Sequence, residues 1–223
     1  MIKHVIFDLD GTLLDTIDDI SSTVNQILRV YDYPDLPVDT YKIYVGEGVK
    51  RLLERVIEHY HLPANVIDDF LTRYYHIYKT ESVKRTKVYD GMMALLEALK
   101  ENGVFVSVLS NKPQVQVEAI IPYYFKDGLF EKTYGKQEGY LPKPDPALLK
   151  SLLTELGVTS NEVLYVGDTK TDVLTATNAN IKSIGVLWGF RDREELERYR
   201  ATYIVEKPSD ILDIVCEENG VEK

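Results

Sequence analysis

Three aspartates, Asp8, Asp10 and Asp15, fall within eight residues of the stretch FDLDGTLLDT, directly after an apolar run. Like charges held this close repel, so they either raise one another's pKa or take up a cation. Two later apolar runs also end in polar groups. Val104–Leu109 is followed by Ser110 and Asn111, and Val163–Val166 by Gly167 and Asp168, with Asp172 four residues on. Lys143 stands between two prolines in LPKPDP. Gathered at one place, Asp8, Asp10, Ser110, Lys143, Asp168 and Asp172 offer only oxygen and ammonium, without His or Cys. That donor set suits a hard cation, Mg²⁺ before others, which keeps waters and meets substrate phosphate. The lysine and the Ser/Asn pair would supply charge and hydrogen-bond donors to phosphate oxygens, which makes phosphoryl transfer the reaction class. Singly, each residue has an ordinary reading. Asp before Gly is a turn signal, Asp168 has the type and place of a helix N-cap, and Lys143 suits an exposed loop. The weight lies in polar residues following three separate strands in the order one cluster needs.

Such a cluster requires those strands to lie side by side, because ligands of open α/β sheets bind at the strands' carboxyl ends. The runs His4–Phe7, Val104–Leu109, Val163–Val166 and Ser183–Leu187 are rich in Val, Ile and Leu. They do not alternate cleanly, as expected of strands covered on both faces. Helical patterns separate them: Met92, Leu95, Leu96 and Leu99 up to Gly103, and Ala147–Leu156 opened by Pro146 and closed by Gly157. The alternation predicts an α/β fold, a Rossmann-like core with a mostly parallel sheet. Residues 16–85 break that rhythm with helical spacing only, as in Val49, Leu52, Leu53, Val56, Ile57 and Tyr60, and nine of the sixteen tyrosines lie between Tyr31 and Tyr89. We expect an all-α cap domain over 16–85, inserted after the first strand into a core of 1–15 and 86–223, with hinges at 16–20 and 82–88. Asp15 is expected to cap a helix or shape the hinge. The charged end, Glu217–Lys223, is expected to fray.

Composition narrows the partners. With 223 residues, 44% hydrophobic and 28% charged, the chain can bury a sizeable core. A net charge of −10 without a dense Lys/Arg block argues against nucleic acid and anionic membranes. Lys84, Arg85 and Lys87 read as a solvated face. One cysteine, Cys216, excludes an internal disulfide and a multi-cysteine zinc site. The first residues run straight into a strand and the apolar runs are short, so a cytoplasmic location is expected. The expected partner is a small phosphorylated metabolite, and the expected assembly a monomer or homodimer.

Assembled, these residues resemble the haloacid dehalogenase-like hydrolase superfamily, and within it the phosphoglycolate phosphatase-like members with a helical cap. FDLDGTLLDT, VLSNKP, LPKPDP and VGDTKTD stand as its four motifs, in order, and GVLWGFRDREEL and the Gly46-Glu47-Gly48 turn are also similar to such sequences. The resemblance implies that Asp8 is a nucleophile forming an aspartyl-phosphate and that Asp10 is the general acid and base. It implies Mg²⁺ on the Asp8 carboxylate, the Asp10 carbonyl and the Asp168 carboxylate, with Asp172 orienting metal waters or Lys143. Ser110 and the Asn111 backbone would hold the phosphoryl group, and Lys143 would neutralise Asp8. Thr12, Gly46, Glu47, Gly48 and Lys50 are expected on the substrate side, with Lys50 or Arg51 meeting a substrate carboxylate. Dehalogenases proper lack the second aspartate, because an alkyl halide needs no leaving-group proton, so Asp10 favours phosphate esters. Inorganic pyrophosphatase and sugar-phosphate mutase share these motifs and remain alternatives. A non-catalytic phosphate-binding regulator is a further one.

Overall fold

The computed structural model describes residues 1–220. The chain opens with β1 (His4–Phe7) and a two-residue β2 (Leu14–Asp15), then runs through four helices: α1 (Ile17–Val30), α2 (Val38–Tyr44), α3 (Val49–His59) and α4 (Ile67–Glu81). It returns through β3 (Lys87–Val88) to α5 (Met92–Glu101), β4 (Phe105–Pro113), α6 (Gln114–Tyr124), β5 (Thr133–Lys136) and α7 (Ala147–Leu156). The last part holds β6 (Val163–Gly167), α8 (Lys170–Asn178), β7 (Lys182–Val186), α9 (Arg193–Arg198), β8 (Tyr203–Val205) and α10 (Ser209–Glu218). No helix among the described residues is long and apolar enough to cross a membrane.

Six strands form one parallel sheet in the order β5-β4-β1-β6-β7-β8. β1 lies in its middle, with Phe7 level with Val108 of β4 and Val166 of β6. That register brings the carboxyl ends of β1, β4 and β6 together. Each face of the sheet is buried. Val5 and Phe7 pack with Leu96, Leu99, Val117 and Val215 from α5, α6 and α10, while Ile6 packs with Leu149, Leu152 and Ala176 from α7 and α8. Burial of both faces is why β1 reads as an unbroken apolar run. β5 and β8 were not anticipated. One carries a glycine among polar residues and the other has three residues, too few to show a period.

The helices α1–α4 wrap their own apolar cluster, in which Val24, Ile27, Tyr41, Leu53, Val56, Phe70, Tyr74 and Tyr78 are buried. The tyrosines there are mainly packing. The chain enters and leaves this helical unit side by side. Leu14 pairs with Val88 and Asp15 with Lys87, antiparallel, so Asp15 lies in a short strand and caps no helix. Asp19, fully buried in α1, accepts hydrogen bonds from the backbone N–H of Arg85 at 3.0 Å and of Thr86 at 2.8 Å, and from the Thr86 hydroxyl at 2.8 Å. At the far end, Glu217 and Glu218 lie in α10, Glu218 pairs with Lys182, and Asn219 accepts from the Ile2 N–H. The expected fraying is therefore not seen through these residues, because they are tied to β1 and β7; residues 221–223 lie outside the described residues.

Asp19→Ala leaves two backbone N–H groups, the Thr86 hydroxyl and the Arg85 guanidinium without their acceptor. We expect a loss of roughly 2–4 kcal/mol, since each buried unsatisfied polar group costs about 1–3 kcal/mol. A shift of the urea midpoint measures it, and an unchanged midpoint would show that the junction does not depend on Asp19.

Candidate active site

The site forms where β1, β4 and β6 end. Asp8 follows β1 directly and Asp168 follows β6, so both carboxylates leave the same sheet edge. Asp168 is fully buried and is not the N-cap of α8. That place belongs to Thr169, in a reciprocal capping box with Asp172. Asp172 Oδ2 thus accepts from the Thr169 N–H at 3.1 Å and hydroxyl at 2.7 Å, leaving Oδ1 to Lys143. Gly11 makes the sharp turn after Asp10 at φ +84°, and a Cβ there would stand 2.3 Å from Asp168 Oδ2. Only glycine allows the first loop to lie so close to the second carboxylate.

Lys143 is buried with four partners. Its Nζ lies 2.7 Å from Asp172 Oδ1, 3.0 Å from the Tyr165 hydroxyl and 3.1 Å from the Leu109 carbonyl, and 2.9 Å from Asp8 Oδ1. Its loop contains a cis Lys143–Pro144 bond and is bracketed by Asn111. The Asn111 side chain accepts from the Lys143 N–H at 2.8 Å and donates to the carbonyls of Lys143 and Gly46. Its amide is thus spent on positioning. Burial works against the Lys143 charge, but Asp172 and Asp8 outweigh it and hold the ammonium well above its usual pKa.

The acidic side is undercompensated. Burial raises the Asp8 carboxyl to about 7; Lys143 opposes the rise, and Asp172 and Asp10 add to it. Burial likewise pushes Asp168 well above the usual carboxylate range, reinforced by Asp172 and Asp8. Asp8 Oδ1 sits near Lys143 without hydrogen-bond alignment and is a buried oxygen with no donor. Asp8, Asp168 and Asp172 each bring one oxygen within 4.8 Å of the others. Three carboxylates against one ammonium leave two negative charges in a dry site, a charge and donor set that fits a divalent hard cation. Asp8, with its donorless oxygen, is free to hold it, whereas one oxygen of Asp172 is tied to Lys143 and the other to Thr169.

Above this cluster lies a cavity of about 60 Å³ between the sheet edge and the helical unit. Asp8, Asp10, Ser110, Asn111, Lys112 and Gln116 supply its polar groups; Ile20, Val45, Val49, Leu52, Tyr74 and Phe190 give it apolar walls. By the volume one water occupies, it takes about four to six water-sized groups, which suits a compact ligand. Gly46 and Gly48 also line it. The other expected substrate contacts do not reach it. Thr12 is fully buried and donates to Asp168 at 3.4 Å. Glu47 turns to Arg55 and Lys170, Arg51 to Glu54 and Glu58, and Lys50 is exposed at the start of α3, away from the lining.

Two contributors were not picked out from the sequence. Lys112 lines the cavity and pairs with Asp10 at 2.9 Å. Its only signal was a lysine directly after the Ser-Asn pair. Phe190 lines the cavity while its N–H donates to Asp168 Oδ2 at 2.8 Å, and the next residue, Arg191, clasps the helical unit. The Arg191 guanidinium donates to the carbonyls of Lys42, Ile43 and Val45 at the end of α2, where the helix dipole is negative.

In chelated buffer, Asp8→Asn is expected to melt higher than wild type at pH 8. A carboxyl raised from 3.8 to about 7 favours the fold fully only when protonated, and that contribution is lost as pH rises through about 7. The gap should therefore narrow as pH falls below about 7 and vanish only as pH approaches the unfolded value of 3.8, and a divalent cation should stabilise wild type more than Asp8→Asn. A gap that is constant with pH would contradict the assignment of uncompensated charge to Asp8.

The family model of the haloacid dehalogenase-like hydrolases matches residues 5–186. The chain is 30% identical to the phosphoglycolate phosphatase of Colwellia psychrerythraea over 217 residues, 93% of this chain and 94% of that one. It is 28% identical to that of Mannheimia succiniciproducens, over 96% of this chain and 98% of the relative. The crystal structure of a predicted phosphoglycolate phosphatase from Haemophilus somnus superposes with a TM-score of 0.88 at 25% identity, covering 96% and 98% of the two chains.

Proposed function

The chain belongs to the haloacid dehalogenase-like hydrolases, and from that premise we propose that it is a Mg²⁺-dependent phosphatase of a small phosphate monoester, with 2-phosphoglycolate the first candidate. The observation that carries this reading is Asp8: a buried carboxylate with a donorless oxygen, 2.9 Å from a buried lysine, on the wall of a small cavity between the sheet edge and the helical unit.

In this reading Asp8 attacks phosphorus. The bond from phosphorus to the ester oxygen breaks, and the leaving alkoxide takes a proton from Asp10. Asp10, now ionised, removes a proton from water as the water attacks phosphorus, which breaks the bond to Asp8 and releases phosphate. Asp10 lies on the cavity wall, with a fifth of its side chain accessible to a bound ester. Ser110 and the Asn111 backbone hold the phosphoryl oxygens, and Lys143 keeps Asp8 ionised and oriented through Asp172, Tyr165 and Leu109. The Asp8 and Asp168 carboxylates and the Asp10 carbonyl would hold Mg²⁺. When bound, the ion supplies the missing positive charge between the carboxylates and the phosphoryl group. Residues 16–85 serve as a cap over a core of 1–15 and 86–223. They exclude bulk water from the acyl phosphate, with the Asp19 junction as hinge and Arg191 as clasp.

The test is phosphate release across small phosphate esters with Mg²⁺, with EDTA as control. Mg²⁺-dependent release that Asp8→Asn abolishes is expected. Asp10→Asn should slow alkyl esters by about 10²–10⁴-fold, the usual worth of a general acid. Unchanged turnover in Asp8→Asn would overturn the assignment.

A further inference from the structure

The cavity holds a second buried ammonium that the phosphoryl chemistry leaves without a task. The Lys112 side chain is 4% exposed. Its Nζ lies 2.9 and 3.0 Å from the two Asp10 oxygens, and 4.8 Å above the centre of the Tyr78 ring of α4. Local backbone is shaped to deliver it there. The register of β4 against β5 shifts between Leu109 and Pro113, and the Lys112 N–H donates to Ser110 Oγ at 3.2 Å. At the neighbouring Gly135 a Cβ would stand 2.5 Å from the Lys112 carbonyl, so no larger residue fits.

Lys112 is the only cation among the described residues lining the cavity. Lys143 lies beneath it, already shared among Asp8, Asp172, Tyr165 and Leu109, and Lys50 and Arg51 do not reach it. The wall from the helical unit is largely apolar, so Lys112 is the one positive charge the lining offers to an anionic group on a bound molecule. Asp10 sits on the cavity wall with a fifth of its side chain exposed, so its ion pair with Lys112 can be exchanged for one with a ligand.

We propose that Lys112 determines specificity: it trades its ion pair with Asp10 for one with a carboxylate of the substrate. This rests on the phosphatase reading above and narrows its substrate to a compact phosphate monoester bearing one carboxylate. A single ammonium matches a singly charged group, whereas a second phosphate would set up to two more negative charges beside Asp8 and Asp10.

The experiment compares kcat/KM for 2-phosphoglycolate and for 2-hydroxyethyl phosphate, in which an uncharged hydroxymethyl group replaces the carboxylate, in wild type, Lys112→Met and Lys112→Arg. Wild type should prefer the acid. Lys112→Met should lower that preference by roughly 30-fold or more, the scale of losing one partner of a buried charge pair. Lys112→Arg should restore part of it. Equal losses on both esters in Lys112→Met would assign Lys112 to orienting Asp10 and overturn the proposal. So would a wild type without preference for the acid, a result that decides even if Lys112→Met does not fold; Lys112→Gln then carries the selectivity comparison. Phosphate release from neither ester by folded wild type overturns the phosphatase reading itself, which separates the two failures.

Discussion

Three carboxylates buried beside one ammonium at the carboxyl edge of a parallel sheet set the terms for the rest of this molecule. Asp8, Asp168 and Asp172 could not share so dry a place unaided, because removing like charges from water and holding them within a few ångströms is strongly unfavourable. Lys143 relieves part of this, and its loop is fixed from several sides for that purpose. Asn111 bridges to its backbone, while Tyr165 and the Leu109 carbonyl take its remaining hydrogens. The residual negative charge is left facing the cavity, where a cation and a phosphoryl group would be drawn in.

The helical unit turns that exposed edge into a closed site. Alone, the sheet would present its carboxylates to water, where Coulomb interactions are weak. With Ile20, Val49, Leu52 and Tyr74 as the opposite wall, the same groups act in a low-dielectric space. Two attachments hold the unit in place and they differ in kind. Asp19 ties the crossing strands through buried bonds, whereas Arg191 holds carbonyls at a helix end from a partly accessible position.

The core of the site was legible because strands covered on both faces read as apolar runs, so the polar residues ending β1, β4 and β6 stood out. Pro146 and Gly157 likewise marked α7 at both ends. What escaped had a common cause: its meaning lies in contacts far along the chain. Lys112 sits in the second motif, yet nothing local says that its ammonium reaches Asp10, 102 residues away. Lys50 and Glu47 looked suitable by type and position beside the Gly46–Gly48 turn, but the rotation of α3 and the pull of Arg55 turn them from the cavity. Thr12 lies in the first motif and is spent on Asp168.

The most direct measurement of the central claim is chemical trapping of the covalent step. Wild type is mixed with saturating ester, quenched within milliseconds, treated with borohydride, and its peptides are mapped by mass. An acyl phosphate on Asp8 would be reduced to homoserine at position 8, only in samples that received substrate, and this is the predicted result. Turnover that proceeds with position 8 unaltered, or with the label at another carboxylate, would contradict the assignment of Asp8 as the nucleophile.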